Sequence, residues 1–335
     1  MKVKISKKSY ALGVLILLCA LGVLCFLLKK SYRTRTVDAQ LLAKGSSYFM
    51  PIKIDRFSSA GIPCLEVNIE GRTVPVKVDL GYEGDICFLP DIIKELTAKK
   101  FIKRRSSYGL RGKTYTSDIY EVEKIYIENI SFGPVKAEEL NLELAHDIHL
   151  GGEEVSSESN LGRLGWSLFY NCNLLIDCKH SILALCDGLE TLKDHGYPVD
   201  FFTETCVLLD RGFIEFEAMT EVGMIRRVLD TGSTWNLLNK DLVSGSNDHM
   251  LFTPENVEQY SVLNPENKSL LTFDAKNVCE LPSFKVLEKE FGPMTFNCIK
   301  SPLAIDAIVG MEFFETTLIF IDFLNKKLYF YEYPK

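Results

Sequence analysis

Two stretches of this 335-residue chain align with each other without a gap. Residues 163–185 read RLGWSLFYNCNLLIDCKHSILAL, and residues 308–330 read IVGMEFFETTLIFIDFLNKKLYF. Gly165 falls on Gly310 and Asp177 on Asp322. Each copy has an apolar residue before the Gly and bulky apolar or aromatic residues three to four positions after it. A strand-like run then ends in Asp, followed by a polar turn and another β-rich run, which is the pattern of a hairpin. A second pair lies upstream: VPVKVDLGYEGDICFL at 74–89 and IRRVLDTGSTWNLLNK at 225–240. Both pass from a β-rich run through Asp-x-Gly into another apolar run. Asp79 precedes Gly165 by 86 residues, and Asp230 precedes Gly310 by 80. The same signals in the same order at nearly the same separation predict two duplicated lobes, 46–188 and 202–335, joined by a linker at 189–201.

Both halves are rich in short β-type runs broken by Gly, Pro, Asn and Ser, such as KIYIENISFGPV at 124–135. Helical patches are few, the best being Pro90–Lys99. The class is mostly β. Hydrophobic residues make up 47% of the chain and charged residues 25%, enough to bury a core and too apolar for wholesale disorder.

Residues 1–45 read as a membrane anchor and stalk. Tyr10–Leu28 holds nineteen residues without a charge, and a helix of that length spans roughly 28 Å, about the thickness of a bilayer core. The rival reading is a cleaved signal peptide, for which the nearest small-x-small site lies eleven residues past the run. With the N-terminus inside, the bulk faces the extracytoplasmic side, and the protein is a single-pass membrane protein. Beyond residue 35 the chain carries 30 basic against 45 acidic residues. A nucleic-acid-binding domain carries a basic footprint, so that class is excluded.

Ten Cys occur, eight of them beyond the apolar run, with no CxxC pair. Neither a zinc ribbon nor a thioredoxin motif is supported, and buried thiols acting as small hydrophobes are the expectation. His146 and His149 form HxxH without carboxylate or Cys companions, so they are read as loop histidines. No G-x-S-x-G, P-loop or G-x-G-x-x-G is present. No metal or cofactor is implied.

Asp230-Thr231-Gly232-Ser233, set between apolar runs in VLDTGSTWNLL and followed downstream by AIVGMEFF, resembles an aspartic protease of the pepsin/retropepsin superfamily. The first-half counterparts are KVDLGYEGDICFL and GRLGWSLF. The resemblance implies two pseudo-symmetric β-barrel lobes, compact enough to look like retropepsin units in tandem. It implies Asp79 and Asp230 as the catalytic carboxylates. Gly81 supports the first; Thr231, Gly232 and Ser233 support the second. It also implies an extended polypeptide substrate in an interlobe groove, beneath a flap. The segment Tyr108-Gly109-Leu110-Arg111-Gly112 suits that flap, with two glycines around an apolar tip.

Metal-free peptide hydrolysis needs an activated water and an acid for the carbonyl oxygen. Two carboxylates about 3 Å apart cannot both ionise and so share one proton; aspartic proteases are the standard instance. The chain departs from the family at Leu80, where a Thr or Ser would donate a hydroxyl across the pseudo-twofold, and at Tyr82, where the family has a small residue. The implied function is a membrane-anchored aspartic endopeptidase. The alternatives are a catalytically impaired peptide-binding protein of the same fold, favoured by Leu80, and a structural component whose β-lobes pack on partners. Asp177 and Asp322 are expected to be turn residues.

Overall fold

The computed structural model describes residues 37–39, 47–58, 61–108, 114–141, 161–221, 223–242, 278–281, 283–299 and 305–334. Three sheets of eleven, six and eight strands carry the described chain, with a few short helical turns between them. Residues Asp38–Lys335 form one compact unit. Among the described residues no helix is long and apolar enough to cross a membrane. The apolar run 10–28, expected as an anchor helix, lies outside the described residues, as do His146 and His149.

The six-stranded sheet follows directly from the repeat. Asn173–Asp177 and Thr317–Asp322 are buried along their whole lengths, so both faces are covered and the runs read as continuous apolar stretches. They pair antiparallel with each other, Leu175 opposite Phe320. Each continues into its own hairpin partner, Ile182–Cys186 or Lys327–Glu332. Phe49–Lys53 and Thr203–Cys206 close the two edges. Asp177 and Asp322 are the turn residues expected of them. The Asp177 carboxylate accepts the His180 N–H at 3.2 Å, and the Asp322 carboxylate accepts the Asn325 N–H at 2.9 Å.

The two outer sheets share one wiring. In the first half, Gly162–Leu164 runs parallel to Arg72–Val78 and antiparallel to Ile86–Phe88, which is in turn parallel to Val135–Glu139. In the second, Ala307–Val309 runs parallel to Gly223–Leu229 and antiparallel to Leu237–Asn239, itself parallel to Met294–Ile299. Alternation sets the faces: Arg72–Val78 buries Val74, Val76 and Val78, and Pro63–Ile69 pairs with it through the two-residue turn Glu70-Gly71. Both turn residues have positive φ, 48° and 79°, as a primed hairpin turn requires.

The duplication also extends into the segments that show no match by eye. Ile125–Ile127 turns back on Ile130–Phe132, and Phe284–Val286 turns back on Lys289–Phe291. Each hairpin has a positive-φ residue in its turn, Glu128 or Leu287, and each is followed by Phe-Gly-Pro, at 132–134 and 291–293. That shared tripeptide was a readable sequence signal; the differing residues on either side of it hid the match. The expected helix Pro90–Lys99 is shorter, Pro90–Glu95, because Leu96 turns extended and the chain enters the strand Lys99–Tyr108.

Cys64, Cys87, Cys172, Cys178, Cys186 and Cys298 are buried and Cys206 is exposed. Burial pushes the Cys87 and Cys178 thiols far up, so they pack as neutral small hydrophobes.

Candidate active site

Two strands end side by side. Arg72–Val78 delivers Asp79, and Gly223–Leu229 delivers Asp230. The Asp79 N–H donates to the Leu164 carbonyl at 2.9 Å, and the Asp230 N–H donates to the Val309 carbonyl at 3.1 Å. Each aspartate's own carbonyl then accepts an N–H three residues on, from Tyr82 at 3.1 Å and Ser233 at 3.2 Å, which closes a tight turn. Gly165 and Gly310 are buried immediately after the supporting strands. The residues following them donate back to the turns: Trp166 N–H to the Tyr82 carbonyl at 3.2 Å, and Met311 N–H to the Ser233 carbonyl at 2.8 Å.

The two turns meet tip to tip. A Cβ on Gly81 would lie 2.5–2.6 Å from the atoms of the Asp230 carboxyl group; a Cβ on Gly232 would lie 2.6 Å from Cγ of Asp79. Only glycine permits that approach. Gly81 N–H donates to Asp230 Oδ1 at 3.2 Å, and Gly232 N–H donates to the same oxygen at 2.8 Å. Each carboxyl group thus lies against the glycine of the opposite turn. Burial, reinforced by the neighbouring Asp79 charge, pushes the Asp230 carboxyl up to about 7, against the lowering influence of the Gly232 N–H.

Thr231 is fully buried and bridges the halves. Its hydroxyl donates to the Val78 carbonyl at 2.7 Å and accepts the Leu80 N–H at 3.0 Å. Leu80, at the matching position in the other turn, is also fully buried and has no hydroxyl to return the bond. The Ser233 hydroxyl donates to the Trp235 carbonyl at 2.7 Å, within its own loop. The Tyr82 hydroxyl donates to Glu138 Oε2 at 2.8 Å, and Arg105 reaches both Glu138, at 3.6 Å, and Glu83, at 3.1 Å.

One residue of this site escaped the sequence reading. Nη1 of Arg163 lies 3.5 Å from Oδ2 of Asp79. The signal was in the repeat itself, where Arg163 stands against Ile308. A charged residue at a position that is aliphatic in the other copy marks a departure from plain core packing.

Lys99–Tyr108 and Thr114–Val122 form a hairpin with Tyr108 opposite Thr114. Of the expected flap, Tyr108 ends the first strand, while Gly109, Leu110, Arg111 and Gly112 lie outside the described residues. A cavity of about 630 Å³ sits beside the Asp79 loop, lined by Tyr82, Asp85, Arg105, Glu138 and Trp166 among others, and neither aspartate lines it. No group of three or more potential metal ligands occurs among the described residues.

The chain is similar in fold to two solved seed proteins. Basic 7S globulin from soybean matches with a TM-score of 0.52 at 9% identity, over 85% of this chain and 95% of the globulin. Conglutin gamma, a basic 7S globulin from lupine seeds, matches with a TM-score of 0.53 at 9% identity, over 86% of this chain and 96% of its own. No protein-family model matches the chain, and no curated protein matches it. The chain therefore shares the fold of these globulins at a distance. The likeness carries architecture and not hydrolytic activity, because both neighbours are named as globulins. The expected retropepsin-like tandem is corrected by this finding. The matches run through 95% and 96% of the globulin chains, and the central six-stranded sheet takes strands from both halves of the sequence. Lobe compactness, on which that expectation leans, says nothing about strands shared between halves.

Proposed function

We propose that this protein is an aspartic endopeptidase, built on two duplicated lobes, that uses Asp79 and Asp230 as its reacting pair. The observation that carries the reading is the tip-to-tip meeting of the two Asp-x-Gly turns, each glycine against the other turn's carboxyl group. Two carboxyl groups so placed hold one proton between them near neutral pH. The ionised member removes a proton from water, whose oxygen bonds to the scissile carbonyl carbon. The protonated member gives its proton to the carbonyl oxygen. The resulting tetrahedral diol then breaks its C–N bond, and the amine leaves with a proton returned through the pair. The substrate is an extended polypeptide segment lying across the turns, with the Lys99–Val122 hairpin as the flap over it. The run 10–28 tethers the enzyme to a membrane, with the bulk on the extracytoplasmic side.

A second reading has its own support: Leu80 removes one arm of the hydroxyl lock between the halves, and the structural neighbours are globulins. In that reading the groove grips a peptide without cutting it. Incubating the full chain with an unfolded protein from pH 3 to 8 separates the two. The enzyme reading expects cleavage that falls by about 10³-fold or more in both Asp79→Asn and Asp230→Asn. Peptide binding without turnover at any pH removes the enzyme reading in favour of the second.

A further inference from the structure

The two carboxyl groups of the pair sit in unequal surroundings. Asp230 Oδ1 accepts two backbone N–H groups, those of Gly81 and Gly232, neutral donors that favour charge on Asp230 and are opposed by its burial. Asp79 Oδ2 faces a guanidinium, that of Arg163 at 3.5 Å. Arg163 extends from Gly162–Leu164, a strand hydrogen-bonded on both sides, with Lys77 and Cys87 as its register partners. Its side chain is 20% exposed and that of Asp79 is 11% exposed, so the pair is little screened by solvent. Arginine stays charged through the whole working pH range. The matching position behind Asp230 is Ile308, which carries no charge.

We propose that Arg163 is a positioning residue that fixes the pair's single negative charge on Asp79 and leaves the shared proton on Asp230. Resting on the hydrolytic reading above, this assigns the roles: Asp79 takes the proton from water, and Asp230 gives its proton to the carbonyl oxygen. The upward displacement of the Asp230 carboxyl agrees with it. The other ionisable groups near Asp79 do not compete with Arg163. Cys87, from the neighbouring strand, is a buried neutral thiol. Glu138, on Val135–Glu139, is engaged by Tyr82 and Arg105, and Glu139 follows it on the same strand. Lys77 is the register partner of Arg163 on the neighbouring parallel strand. From the opposite turn the facing ionisable group is Asp230 itself.

The test uses the full chain with ¹³Cγ-labelled aspartate, and Asp79→Asn and Asp230→Asn assign the two carboxyl signals. In the native protein near pH 5.5, the signal lost in Asp79→Asn is expected at an ionised position and the one lost in Asp230→Asn at a protonated position. Arg163→Leu and Arg163→Gln are expected to draw the two signals together. In cleavage assays, both should also raise the acid limb of the pH–rate profile by about one unit. Arg163→Lys should restore both properties, which a merely structural arginine would not do. Coincident signals in the native protein overturn the proposal even if no neutral variant folds. So does an unmoved signal pair and acid limb in a folded neutral variant. Native signals placed as expected in a protein that cleaves nothing would support the role of Arg163 while removing the hydrolytic reading.

Discussion

The Asp79 half and the Asp230 half are wired alike and furnished differently. Each has a strand that ends in Asp-x-Gly, a short parallel strand beside it that ends in Gly, and a hairpin leading to Phe-Gly-Pro. Yet Leu80 stands where the other half has Thr231, Arg163 where it has Ile308, and Val76 where it has Arg227. Backbone pairing tolerates such exchanges because it depends on main-chain hydrogen bonds and on alternation, whereas what the turns can do depends on individual side chains. The two halves thus share a scaffold and differ at their tips.

Thr231 is where that divergence has the largest expected energetic consequence. Thr231→Val keeps the shape but leaves the Val78 carbonyl and the Leu80 N–H buried without their partner. A loss of about 2–3 kcal/mol in denaturant unfolding is expected. A loss below 0.5 kcal/mol would mean that the single remaining arm does not tie the halves together.

Proton linkage comes next. The Asp230 carboxyl is raised to about 7 in the folded protein, so the native state binds more protons than the unfolded chain between about pH 4 and pH 7. Its contribution is fully present below pH 4 and is lost as pH rises through 7. Unfolding curves across that range should show the decline, and Asp230→Asn should flatten it. A native slope equal to that of the variant would contradict the assignment.

Arg227 offers a stabilising change of about 1–2 kcal/mol. It is fully buried with Nε and Nη2 unsatisfied, and its guanidinium lies 3.9 Å from the Phe284 ring centroid and 5.3 Å from that of Phe296. Among the described residues no carboxylate pairs with it, and burial lowers its pKa to about 9. Arg227→Met, which makes the position apolar like Val76 in the other half, should raise the thermal midpoint. A clear destabilisation would show that the aromatic stacking outweighs the desolvation.

Leu80→Thr should have the smallest effect. By symmetry the new hydroxyl would meet the Leu229 carbonyl and the Thr231 N–H, offsetting the lost apolar contact to within about 1 kcal/mol. A loss near 3 kcal/mol, as for a bare cavity, would show that the second turn cannot accept the bond.

Much of this architecture was legible. Gly165/Gly310, Asp177/Asp322 and the Asp-x-Gly pair gave the duplication, and alternation gave the β class. The Phe-Gly-Pro repeat was equally readable but was lost among dissimilar neighbours, since hairpin turns constrain only a residue or two. Arg163 was passed over because a strand position reads first as packing, and its ion pair joins residues 84 positions apart.

The sequence alone determined the local pieces: which runs alternate, where Asp and Gly break them, and that the pieces occur twice. These follow from backbone sterics and apolar periodicity, which act over a few residues. Only the tertiary structure decided that Asp79 and Asp230 meet, that Thr231 alone bridges the turns with a hydroxyl, and that a cation sits on one aspartate and not the other. Those outcomes depend on contacts between residues up to about 150 positions apart, and the free energy of such contacts is set by burial and distance in the folded chain.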